Sequence, residues 1–117
     1  MMASSKAITV SFYRSPSANE PVRDWLLGLD KTDRQAVGID IKTVEFGWPI
    51  GMPVCRPMGG GLYEVRTNLS SNRIARVLFC IEGSNMVLLH GFIKKTQKTS
   101  KQDLELAKAR YKEVQNG

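Results

Sequence analysis

The sequence predicts an α+β domain of element order β-α-α-β-β-β-β-α: an antiparallel four- to five-stranded sheet with an N-terminal helical hairpin and a C-terminal helix. Three observations predict it. Apolar residues recur at helical spacing between residues 22 and 44. From about residue 54 to residue 93 the pattern changes to alternation or continuous apolar runs, broken by glycine, serine and asparagine. Helical spacing then returns after a capping signal at Ser100.

Taken in order, Ile8 to Tyr13 is short, β-branched and aromatic, the composition of a strand. Asn19 can cap a helix whose apolar stripe is Val22, Trp25, Leu26 and Leu29. Asp30 or Thr32 can cap a second, with Val37, Ile41 and Val44 inward and Gly47 with Trp48-Pro49 at its end. Val54 to Met58 is extended and closes on Gly59-Gly60-Gly61. No Gly-Lys-Ser/Thr follows that triple glycine, so it is read as a hairpin turn and not as a phosphate cradle. Leu62 to Leu69 alternates, with Tyr63, Val65 and Leu69 on one face and Glu64, Arg66 and Asn68 on the other. After the turn at Ser70-Ser71-Asn72 come two apolar strands, Arg73 to Ile81 and Met86 to Ile93, the latter expected to be central. Ser100-Lys101-Gln102-Asp103 opens a helix that buries Leu104, Ala107, Tyr111 and Val114. Four strands joined by short turns make a meander. The first strand can add at one edge, and the helices are expected to cover one face and leave the other partly open.

At 117 residues the chain is expected to be one domain, 1–117, since halves would be too small to bury useful cores. Its hydrophobic share of 42% argues against disorder. No run approaches the roughly eighteen apolar residues of a membrane span, and the first residues lack a secretion signal, so a cytoplasmic protein is expected. Cys55, Cys80 and the single His90 make neither a disulfide framework nor a metal set, and no cofactor is expected.

Charge is unevenly placed. Residues 1–55 hold six Lys/Arg and six Asp/Glu, whereas residues 56–117 hold eleven against five and carry the whole excess of +6. A basic half beside a neutral half fits a surface that meets polyanions, though a solubilising surface has the same composition. Within the basic half, the turn centred on Ser71 pairs residues whose numbers sum to about 142, which sets Arg66 against Arg76. Opposed like charges repel unless an anion lies between them, and guanidinium groups bind phosphate in bidentate fashion. The competing reading pairs Arg66 with Glu64 or Glu82 and has Arg76 snorkelling at a strand edge. The run Lys94-Lys95-Thr96-Gln97-Lys98-Thr99 follows a rigid strand and precedes a capped helix, well placed to hold cations against a phosphate backbone. His90 reads as a sheet-face histidine or as a group for proton transfer. Tyr63, Phe92 and Trp48 read as core or as platforms for a base.

Gly59 to Arg66, Arg73 to Leu78 and Leu88 to Thr99 together resemble the phage-derived HigB-like branch of the RelE/ParE toxin superfamily. The likeness extends over nearly the whole chain, with Val22 to Leu29 similar to that family's first helix. It implies a RelE-like fold and the toxin of a type II toxin–antitoxin pair. The partners implied are a helix-turn-helix, HigA-like antitoxin, mRNA and the ribosome, with neither a membrane nor a small-molecule cofactor involved. By resemblance Arg66 falls where a catalytic lysine sits, Arg76 on a phosphate-binding arginine, and Lys95 on a basic residue near the leaving group. Arg73, Lys94, Thr96 and Lys98 are then further phosphate contacts, Phe92 a base contact, and His90 a candidate for proton transfer. The chain departs from the RelE pattern where Glu64 replaces another lysine, where no tyrosine follows the basic loop, and where Ser100 stands for the usual proline.

The resemblance implies metal-independent cleavage of mRNA, with inhibition of translation. The ribose 2′-hydroxyl would attack the adjacent phosphorus and leave a 2′,3′-cyclic phosphate and a 5′-hydroxyl. Lysine near pKa 10 and arginine above 12 are poor bases at neutral pH, which leaves the general base open between a depressed lysine, His90 and help from the ribosome. Two other classes share the sequence features: a ParE-like poison of DNA gyrase, and a non-catalytic nucleic-acid-binding phage protein.

Overall fold

A computed structural model describes residues 6–95 and 98–117. The elements are β1 (Thr9–Phe12), α1 (Pro21–Leu27), α2 (Lys31–Gly47), β2 (Cys55–Gly59), β3 (Leu62–Asn68), β4 (Ile74–Glu82), β5 (Asn85–Lys94) and α3 (Lys101–Asn116). This is the α+β order expected, with strand ends shifted by at most one residue.

The five strands form one sheet in the order β1-β5-β4-β3-β2. From β2 to β5 every neighbour is antiparallel, as short turns require. The edge strand corrects the antiparallel expectation, because β1 runs parallel to β5 and makes the sheet mixed. Two helices separate β1 from the next strand, so no hairpin dictates its direction. It is held instead by the C-terminal part of α2: Glu45 accepts hydrogen bonds from Ala7 N and Ile8 N at its backbone carbonyl and from Val10 N at its carboxylate. The middle strand is β4, not β5, and Ile74 through Cys80 are buried without interruption.

The helices also divide differently from expectation. The two N-terminal helices pack Val22, Val37, Ile41 and Val44 against Val65, Val77, Phe79 and Leu88 on one face. The C-terminal helix packs Ala107, Leu104, Tyr111 and Val114 against Leu62, Leu78, Cys80, Val87 and Leu89 on the other. Each fully buried aliphatic side chain contributes about 1.5–3 kcal/mol, so both cores matter to stability. The second face is therefore covered in part by α3.

Local signals explain the joints. Asn19 is not the cap of α1; its side chain donates to Ser17 in the preceding loop, and Glu20 stands at the cap with Pro21 opening the helix. Asp30 occupies the α2 cap position without a side-chain bond to the helix. Gly59, Gly60 and Gly61 all have positive φ, as the hairpin reading required, and a Cβ on Gly61 would lie 2.6 Å from the Tyr111 hydroxyl. Gly91 leaves room for Trp25, whose ring would meet an added Cβ at 2.5 Å. Both cysteines are buried, and burial pushes the Cys55 thiol up to about 11 and the Cys80 thiol up to about 12. Among the described residues, no helix is long and apolar enough to cross a membrane.

Candidate nucleic-acid interface

Strand register sets the chemistry of the α3-side face. Residues directly paired across antiparallel strands project from the same side of the sheet. One row across β2, β3, β4 and β5 is Arg56, Glu64, Leu78 and His90; the next, across β3, β4 and β5, is Arg66, Arg76 and Phe92. Arg66 opposes Arg76 as the turn arithmetic required.

The anion that lets these arginines share a face is built into the chain. Glu64 and Arg76 are both fully buried. Arg76 Nη1 donates to Thr99 Oγ1 at 3.1 Å, and the Thr99 hydroxyl in turn donates a short hydrogen bond to Glu64 Oε2. Arg66 Nε lies 3.9 Å from Glu64 Oε1, with 17% of the Arg66 side chain exposed. Burial pushes the Arg76 guanidinium pKa down; Glu64 opposes that shift, while Arg66 and Arg56 reinforce it. One carboxylate thus lies among three guanidinium groups, and the cluster keeps a cationic surplus at the edge reached by solvent.

A second network joins the start of α3 to β5. Ser100 caps the helix by accepting from Asp103 N at 3.1 Å and donates from its hydroxyl to Asp103 Oδ2 at 2.5 Å. Asp103 Oδ1 lies 2.8 Å from His90 Nε2, and Oδ2 lies 2.7 Å from Lys94 Nζ. Burial pushes the Asp103 carboxyl up, but the bonds from Lys94, Ser100 and His90 outweigh it and hold the group at about 2. An ionised carboxylate only accepts, so His90 donates through Nε2, and Nδ1 is the ring nitrogen turned away from Asp103. The ring is also stacked on Phe92 at 5.2 Å, and Lys94 Nζ sits 5.3 Å from the centre of the Phe92 ring.

The residues expected at the site fall into two groups. Arg66, Arg76, His90, Phe92 and Lys94 share this face, and Phe92 is mostly buried. Exposed Lys98 lines a groove beside it with Arg56, Met58, Thr99 and Leu104. By contrast, exposed Lys95 lines a different depression, of about 300 Å³, with Asn68, Leu69, Asn72, Arg73 and Ile74. Arg73 is tied to α2 by Asp33 at 2.8 and 3.1 Å, and it also bonds the Ser70 carbonyl and hydroxyl. Hydrogen bonding to Arg73 holds the Asp33 carboxyl below its ordinary value against the opposing effect of burial. Thr96 lies outside the described residues.

Sequence reasoning missed Arg56, the role of Thr99 and the second role of Asp103; it noted Glu64 as a departure from a pattern and as a competing partner for Arg66, and Glu64 does lie 3.9 Å from Arg66. Turn arithmetic centred on Gly60, the middle of the glycine triplet, of the kind applied at Ser71, would have placed Arg56 opposite Glu64. No local signal marks Thr99, since its role depends on where α3 docks.

Among curated proteins, no match to the chain is found. A family model, described as Phage derived protein Gp49-like (DUF891), matches residues 24–112, which include both arginine rows, the His90–Asp103 pair and most of α3. The chain belongs to that phage-derived Gp49-like family.

Proposed function

We propose that this protein is the toxin of a type II toxin–antitoxin pair and a metal-independent endoribonuclease acting on mRNA, with a helix-turn-helix antitoxin as its neutralising partner and the ribosome as its place of action. The observation that carries the reading is the opposition of Arg66 and Arg76 beside an Asp103-bound histidine on one sheet face. Membership of a phage-derived family and the likeness to HigB-type toxins support it.

In this reading a backbone phosphate approaches Arg66, the partly exposed member of the pair, while buried Arg76 adds its field from behind and fixes Glu64. His90 Nδ1 takes the proton from the ribose 2′-hydroxyl, whose oxygen attacks the adjacent phosphorus. The bond from phosphorus to the 5′-oxygen breaks, and that oxygen takes a proton from the imidazolium or from solvent. The products are a 2′,3′-cyclic phosphate and a 5′-hydroxyl. Fixed cations meet the charge that develops on phosphorus, and each such donor is typically worth on the order of 10²-fold in rate or more. Asp103 holds the histidine in the tautomer that this step needs. Lys94 is engaged by Asp103, whereas Lys95 and Lys98 are exposed cations that can steady the strand on either side.

The test is expression with mapping of cut ends in cellular mRNA. Arg66→Ala, Arg76→Ala and Lys95→Ala should each keep a folded circular-dichroism spectrum and lose growth arrest together with the new 5′-hydroxyl ends. Full toxicity in Arg66→Ala and Arg76→Ala would defeat the assignment. A second reading is favoured by one observation: Glu64 already holds the place of an anion between the arginines, which suits a nucleic-acid-binding protein without cleavage. That protein would bind RNA without producing ends. A gyrase poison would instead raise DNA breaks and leave mRNA intact.

A further inference from the structure

Beside the arginine cluster a groove of about 480 Å³ opens between β2 and α3, lined by Arg56, Met58, Lys98, Thr99 and Leu104. Its volume falls within the roughly 300–1,000 Å³ of small-ligand sites. Met58 and Leu104 pack their inner sides on the α3-side core, and both remain only half-buried. An apolar floor therefore reaches the surface between two exposed cations. Thr99, in the wall, is bonded to Arg76 and Glu64, so the groove begins where the cluster ends.

A surface that only gripped a phosphate backbone would gain nothing from a thioether and an isobutyl group set between its cations. An unpaired base has a broad apolar face and a phosphate on each side, which matches this alternation. We propose that the groove is a nucleobase subsite. The base lies against Met58 and Leu104; Arg56, whose row lies between Met58 and Arg66, and Lys98 hold the phosphates that flank it. The proposal rests on the reading of this face as RNA-binding. The Thr99 hydroxyl already gives its one proton to Glu64, so it does not donate to the base edge. The subsite accepts any base and favours purines for their larger face; the flexible methionine adapts to either ring size. A paired base cannot reach the floor, so the subsite selects single strands.

The test is fluorescence anisotropy with short 2′-O-methyl RNA, which lacks the nucleophile and survives the measurement. A series carries one abasic position at a time and is titrated against the wild type, Leu104→Ser, Met58→Ser and Arg56→Ala, each checked for folding by circular dichroism. In the wild type, one abasic position should weaken binding about tenfold. The same position should cost Leu104→Ser and Met58→Ser little more, because the contact is already lost. Arg56→Ala, changed at an exposed side chain, should weaken every oligonucleotide alike and lower the salt slope by about one. Equal abasic losses in the wild type and both serine variants, or no binding by the wild type, overturn the proposal. Cleavage of cellular mRNA with such additive losses removes the subsite and leaves the nuclease standing. Non-additive losses without cleavage retain the subsite and remove the nuclease.

Discussion

Arg73 and Arg76 lie three residues apart, at the turn end of β4, yet meet their acids in opposite ways. Arg73 is directly bidentate to Asp33 on α2, with 27% of its side chain exposed. Arg76 is fully buried and reaches Glu64 through the Thr99 hydroxyl, with Arg66 and Arg56 acting on it from neighbouring strands. A guanidinium whose fork is filled by a carboxylate has little left for a ligand, so Arg73 works as a tie between the β3–β4 turn and α2. A single carboxylate shared by several arginines leaves cationic charge to spare. The arginine that ties the turn to α2 and the arginine of the candidate site differ in the geometry of their acid, not in residue type.

Three changes break or sharpen that contrast. The largest effect is expected from Glu64→Leu, which removes the buried carboxylate and leaves the arginines to repel one another. Loss of one partner from a buried charge pair typically costs about 3–5 kcal/mol, to be read from denaturant unfolding. Stability equal to the wild type would show that Glu64 does not compensate the cluster. Next comes the α3 latch. The Asp103 carboxyl, at about 2 when folded, lies below its unfolded value of 3.8. Its stabilisation is therefore complete above about pH 4 and lost as pH falls toward 2. That loss amounts to ~2 kcal/mol, and Asp103→Asn should flatten this part of the stability–pH curve. An unchanged curve would show that the Lys94 and His90 bonds do not favour the ionised form. The smallest effect is expected from Arg73→Ala. Its unfolding midpoint should fall less than that of Glu64→Leu, with RNA binding unchanged. A loss of RNA binding as large as that of Arg66→Ala would erase the distinction between the two arginines.

Much of the candidate site was legible because short turns convert sequence distance into register. The glycine triplet and the Ser70–Asn72 turn each admit few pairings, and the alternation of Tyr63, Val65 and Leu69 with Glu64 and Arg66 decides which side faces the two N-terminal helices. Arg66 opposite Arg76 followed from that arithmetic alone. Lys95 and Arg73 were harder to place. A basic residue in a turn or loop has no alternation to orient it, and these two line a depression apart from the arginine cluster. Asp103 was legible as part of a capping box, but its carboxylate also reaches across to His90 and Lys94, which only the docking of α3 brings near.

By itself the sequence determined the order of the elements, the antiparallel meander from β2 to β5 and the facing arginines, since each depends on local periodicity and on loops too short to allow alternatives. Tertiary structure alone decided that β1 runs parallel to β5, that α3 crosses the face opposite the other two helices, and that Thr99 meets Glu64 and Arg76. Those pairings join segments far apart in the chain, and their geometry follows from packing two apolar cores at once, which no local pattern encodes.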